Sequence, residues 1–83
     1  MQIPKKVVIA TDHNKKKHFR KSLIDACQAV GINTQTARNH MSRNQTNVYQ
    51  SGGVKVQVIR EGELGYYRAL ASYLETKNKA NRL

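Results

Sequence analysis

Gly31 constrains this chain more than any other residue, because it stands between two stretches of helical periodicity. Glycine enters the left-handed conformation without steric penalty, so a helix that ends on it can turn sharply. On its N-terminal side, Leu23, Ile24, Cys27 and Val30 recur at the spacing of an apolar helix stripe. Ser22 reads as the N-cap of that helix, with Asp25 three residues later as a reach-back acid. On the other side, Ile32 follows as a hydrophobic plug and Asn33 or Thr34 is placed to cap a second helix. That helix runs from Gln35 to Arg43, with Ala37 and Met41, four residues apart, on its buried face. Ala26 and Cys27 put small side chains where the two helices cross. Residues 22–43 therefore read as a helix-turn-helix.

Strand signals lie on both sides of this unit. Val7, Val8 and Ile9 form a β-branched run, Asp12-His13-Asn14 supplies turn residues, and Lys17-His18-Phe19 returns as a second strand. Lys15, Lys16 and Lys17 then form a basic hairpin tip or edge. Residues 44–47 read as a loop. Val48-Tyr49, the Gly52-Gly53 pair and the alternating Val54, Val56 and Val58 read as a second hairpin. Beyond Glu61-Gly62, Tyr66 or Tyr67 with Leu70, Tyr73 and Leu74 marks a last helix at about 63–78, and Lys77 to Leu83 reads as a frayed basic tail. The fold class expected is α+β, with short antiparallel strands flanking a helix-turn-helix and a C-terminal helix. At 83 residues the chain fits one small domain with a core of Ile, Val, Leu and Tyr, since Trp is absent and Phe19 is the only Phe.

Charge narrows the function. Fifteen Lys and Arg against five Asp and Glu give a formal net charge of +10. Self-repulsion of that size favours a polyanionic partner, and nucleic acid is the first candidate because binding releases its condensed counterions. Arg20, Arg38, Arg43, Arg60 and Arg68 add planar donors suited to phosphate and guanine. The single cysteine, Cys27, allows no intramolecular disulfide. No run approaches the ~20 apolar residues of a membrane span, so no membrane partner and a cytoplasmic or nucleoid location are expected.

Catalysis finds little support. Of the acids, only Glu61 and Glu63 are close together, and they suit capping or balancing of Arg60. His13, His18 and His40 are scattered without metal-ligand spacing, and Cys27 on an apolar stripe reads as a buried, inert thiol. No enzyme activity, metal or cofactor is expected. The polar face of the second helix is more informative: Asn33, Thr34, Gln35, Arg38, Asn39 and Ser42 are suited to base edges, and no acid stands among them. A solvated helix of neutral purpose usually mixes Glu with Lys to form stabilising pairs. Lys15, Lys16, Lys17, Arg20, Lys21 and Arg43 are the expected phosphate contacts.

From Val7 to about Val56 the chain resembles the nuclease-associated modular DNA-binding domain found beside the catalytic domains of homing endonucleases. The resemblance runs through Val7-Val8-Ile9, the turn at Asp12 to Lys15, Phe19, the segment from Ser22 to Asn33, Thr36, Ala37 and the Gly52-Gly53 pair. Val54 and Val56 stand where that family has an aromatic residue after the glycines. The resemblance implies a strand pair leading into a helix-turn-helix that docks on duplex DNA, with Asn33 to Gln35, Arg38, Asn39 and Ser42 facing it. That module normally accompanies a nuclease, for which 83 residues leave no room, so a stand-alone relative is expected, such as a small transcriptional regulator or a phage or plasmid accessory protein. Double-stranded DNA is the expected partner, with a homodimer through the Tyr and Leu stripe of the last helix as a further expectation. The alternatives are a basic inhibitor that binds an acidic host protein and an RNA or single-strand binder using its tyrosines, Tyr49 above all.

Overall fold

The computed structural model describes residues 3–81, with side chains through Glu75. In chain order the elements are β1 (Lys6–Thr11), β2 (Lys17–Arg20), α1 (Leu23–Val30), α2 (Thr34–Arg43), β3 (Val48–Ser51), β4 (Val54–Arg60) and α3 (Tyr66–Asn81). Among the described residues the architecture is α+β, a four-stranded antiparallel sheet with three helices.

Both hairpins follow from local chemistry. At the first tip, the Asp12 carboxylate accepts the backbone N–H groups of Asn14 and Lys16, each at 2.9 Å, and so closes the turn on itself. In the second, Ser51 pairs with Val54, and Gly52 and Gly53 both take positive φ, 57° and 85°. Such a two-residue turn matches the twist of the strands it joins.

The sheet order, β2-β1-β4-β3, joins the two hairpins through β1 and β4. That antiparallel pair runs from Lys6 opposite Arg60 to Thr11 opposite Lys55. It makes the β-branched runs the two central strands and leaves the short, polar β2 and β3 at the edges. Lys17 on an edge strand discourages pairing with another sheet.

Strand alternation divides the core between the two faces of the sheet. On one face Val8, Ala10, Val56 and Val58 pack with Leu23, Ala26 and Cys27 of α1 and Ala37 of α2. On the other, Val7 and Ile59 pack with Tyr66, Ala69 and Leu70 of α3, joined at the margin by Ile9 and Phe19. Burying one valine or leucine side chain contributes about 1.5–3 kcal/mol, and both layers add to the stability of the sheet between them. The Tyr66 hydroxyl donates to the Pro4 carbonyl, which ties the start of α3 to the chain entering β1.

Three local expectations differ from the structure. Ile24 does not join the stripe of α1 and is 49 % exposed, while Ala26 is fully buried. The crossing with α2 admits the small side chain and turns the large one outward. α3 begins at Tyr66 rather than near residue 63, because Glu63 bends back to accept the Arg60 backbone N–H at 2.8 Å. The segment expected as a frayed tail is helical through Asn81, while its side chains and residues 82–83 lie outside the described residues.

Candidate nucleic-acid interface

α1 and α2 form the helix-turn-helix from strictly local causes. Ser22 Oγ accepts the Asp25 backbone N–H at 3.2 Å and caps α1. Gly31 ends that helix at φ 75°, with its N–H on the Cys27 carbonyl, and the Ile32 N–H reaches the same carbonyl at 2.9 Å. Asn33 then caps α2, its Oδ1 accepting the Thr36 backbone N–H at 3.0 Å and the Thr36 hydroxyl at 3.3 Å. Ala26, Cys27 and Ala37 have no exposed surface, so the two helices meet through small side chains, and Ile32 and Met41 pack against the same cluster.

Cys27 is a packing residue. Burial pushes its thiol above the ordinary range, against smaller opposing effects from the Thr34 side-chain hydrogen bond and the Arg38 charge. A thiol so placed is a poor nucleophile.

The outward stripe of α2 carries Gln35, Arg38, Asn39 and Ser42, all exposed. Their spacing of three and four residues sets them along one side of the helix, opposite Ala37 and Met41. Gln35 Nε2 donates to Asn39 Oδ1 at 2.9 Å. That bond orients the two amides relative to each other and uses neither the Gln35 carbonyl oxygen nor the Asn39 amino group. With the second Gln35 N–H they offer one acceptor oxygen and three donors on the stripe that also carries the exposed Arg38. No acidic residue occurs anywhere between Asp25 and Glu61.

The other two residues expected at base edges are placed differently. Asn33 is exposed, but its carbonyl oxygen is engaged in the cap. Thr34 stands three residues before Ala37 and seven before Met41, so it falls on the inward side, half-buried, near Cys27.

The basic residues separate into groups. Lys15 and Lys16 occupy the first hairpin tip, both exposed, with Lys15 held at φ 66° by the turn that Asp12 closes. Asp12 also pairs with His18, Oδ2 to Nε2 at 3.1 Å. That partner and the Lys16 N–H hold its carboxyl below the usual carboxylate range. Near this tip, the His13 imidazole lies against Gly53 and lines one concavity with Gly31 and Asn33. The tip and the start of α2 therefore share one end of the molecule.

Lys17 shares a strand face with Phe19, which packs toward α3, so it is not brought to the side of α2. Arg20 is half-buried on β2 and its Nη1 donates to the Phe19 carbonyl at 2.9 Å. Lys21 is exposed just ahead of the α1 cap, and Arg43 is exposed in the last turn of α2, where a cation also complements the helix dipole.

Tyr49 is half-buried against the helix-turn-helix core and meets His40 edge-on with ring centroids 5.1 Å apart. His40 in turn lies 3.3 Å from the Asn44 amide. These rings stabilise the seam between α2 and β3 and do not form an open stacking platform. Sequence reasoning overlooked Lys5, Lys6 and Arg60 as a group, because their proximity arises only from the pairing of β1 with β4. Among the described residues no helix is long and apolar enough to cross a membrane. Comparison of the chain with family models, curated proteins and solved structures gives no match.

Proposed function

We propose that this chain binds double-stranded DNA with a sequence preference, presenting α2 to the major groove, and that it acts without catalysis. One observation carries the reading. The exposed stripe of Gln35, Arg38, Asn39 and Ser42 is free of acids and stands on a helix held rigidly by a capped, glycine-closed turn. Amides read adenine and guanidinium groups read guanine through hydrogen bonds on the major-groove edge. The Gln35–Asn39 bond holds these groups in place before contact, which lowers the entropic cost of ordering them on binding. Lys15, Lys16 and Arg43 serve as phosphate contacts around the stripe, and the net charge of +10 supplies long-range attraction. The resemblance to the modular DNA-binding domain of homing endonucleases supports the same role, that of a small regulator or accessory protein.

The test is fluorescence anisotropy of the full chain against duplex DNA, single-stranded DNA and RNA, from low to physiological salt. Duplex binding that persists near physiological salt, ahead of both single strands, is the expected outcome. On a selected site, Arg38→Ala costs about 1–3 kcal/mol if the guanidinium is bidentate to guanine, and much less on random duplex. Equal binding of all three polyanions, released together as salt rises, would refute the reading and favour an acidic protein as partner.

A further inference from the structure

The end of the sheet opposite the lysine tip carries a second basic cluster, formed by Lys5, Lys6, Lys21 and Arg60. Lys6 and Arg60 are direct partners across the central pair of strands. By alternation from Val8 and Val58, both project to the face that carries α1 and α2. Lys5 lies one residue further out, its carbonyl accepting the Glu61 N–H at 2.8 Å. Lys21 follows Arg20, the partner of Val8, and so comes in from the neighbouring strand. All four side chains are exposed and line one open concavity of about 970 Å³, in which Glu61 is the only acid among the described residues. Of the four, only Lys21 stood among the phosphate contacts expected from the sequence.

This cluster is continuous with the end of α2. Arg60 also lines the adjacent concavity of about 450 Å³ with Met41, Ser42 and Gln45. A second acid, Glu63, borders that passage, but its carboxylate is engaged by the Arg60 backbone N–H and, at 3.4 Å, by the Asn47 amide. The passage from Ser42 to the four cations therefore runs through Arg60.

The dimensions give the arrangement its meaning. The ten residues of α2 span about 15 Å. From Lys6 to Thr11, where β1 ends short of the lysine tip, the strand advances five residue steps, about 17 Å. A major groove is about 12 Å wide. Basic groups at the two ends of α2 thus stand slightly farther apart than the groove that would receive the helix. We infer that Lys5, Lys6, Lys21 and Arg60 form a second phosphodiester seat, so that the protein grips both rims of one major groove, with Lys15 and Lys16 on one strand and this cluster on the other. The inference rests on the duplex-binding reading above.

The experiment compares two double variants of the full chain that lose the same charge. Lys6→Gln with Lys21→Gln removes half of the cluster, while Lys55→Gln with Arg68→Gln removes two exposed cations outside it. Each is titrated with duplex DNA across salt and mapped by hydroxyl-radical footprinting, and circular dichroism checks that each stays folded. The cluster variant is expected to lose about two units of salt slope, close to 0.9 per phosphate contact, and to lose protection along one strand at one rim. The control is expected to keep both. Equal behaviour of the two variants, with Arg38→Ala still selectively impaired, overturns the seat and leaves the duplex reading standing. Absence of duplex preference in the unmodified chain removes both. Calorimetry with inorganic tripolyphosphate separates the remaining source: saturable binding at physiological salt, lost in the cluster variant while its footprint is unchanged, assigns the cations to a free polyphosphate and overturns the proposal.

Discussion

Replacing Gly31 with alanine isolates the cost of a backbone conformation from the cost of a contact. Gly31 has φ 75°, and a Cβ built there meets no heavy atom within 4 Å. A clash is therefore absent, and only the left-handed conformation is penalised, by about 1–2 kcal/mol for an L residue. Alanine also restricts the unfolded chain, which returns about 0.4–1 kcal/mol. The expected net loss for Gly31→Ala is about 1 kcal/mol, or roughly 4–8 °C in Tm for a domain of this size. Gly31→Asn should cost only a few tenths, because asparagine tolerates the left-handed region, and Gly31→Val should exceed both, since β-branching makes that region severely strained. Urea unfolding followed by circular dichroism, with the m-value checked for constancy, measures all three. A loss above about 3 kcal/mol for alanine, beyond what left-handed strain alone can cost, would mean that the open space beside Gly31 is wrong. A gain would mean that its φ is not positive. An asparagine as costly as valine would refute the conformational argument altogether.

Other perturbations test the remaining supports. Asn33→Ala removes the cap that takes the Thr36 N–H and should cost about 0.5–2 kcal/mol, read from chemical unfolding, whereas Asn33→Ser should recover most of it. Ala37 has no exposed surface at the helix crossing, so Ala37→Leu should destabilise by about 1–3 kcal/mol through overpacking, while a surface change such as Gln28→Leu should have little effect on the same unfolding curve. The Asp12 carboxyl is depressed chiefly by His18, so folding is linked to its ionisation. The sign follows from a folded value lower than the unfolded one: the contribution is fully present above about pH 4 and is lost as pH falls through the folded value. Thermal melts between pH 6 and pH 2 should therefore show a shallower acid decline for Asp12→Asn than for the unmodified chain, and identical slopes would dismiss the linkage.

The local features were legible in the residues alone. Ser22, Gly31 and the Gly52-Gly53 pair act through hydrogen bonds and dihedral angles within a few residues, so their effects do not depend on the rest of the fold. The same holds for the exposed stripe of α2, whose period of three and four residues determines which side chains share a side. Thr34 marks the limit of that reading. Its place in the helical period assigns it inward with Ala37 and Met41, but composition alone groups it with the polar residues around it. What the sequence could not supply was anything set by pairing between distant segments. Two hairpins read equally well as separate ribbons, and only the β1–β4 pair makes them one sheet, puts α3 on the face opposite the helix-turn-helix, turns Lys17 away from α2 and brings Lys6 beside Arg60. The physical reason is that strand alternation fixes which residues share a face, but the register that sets those faces against a partner comes from burying two apolar layers at once. That is a property of the assembled chain.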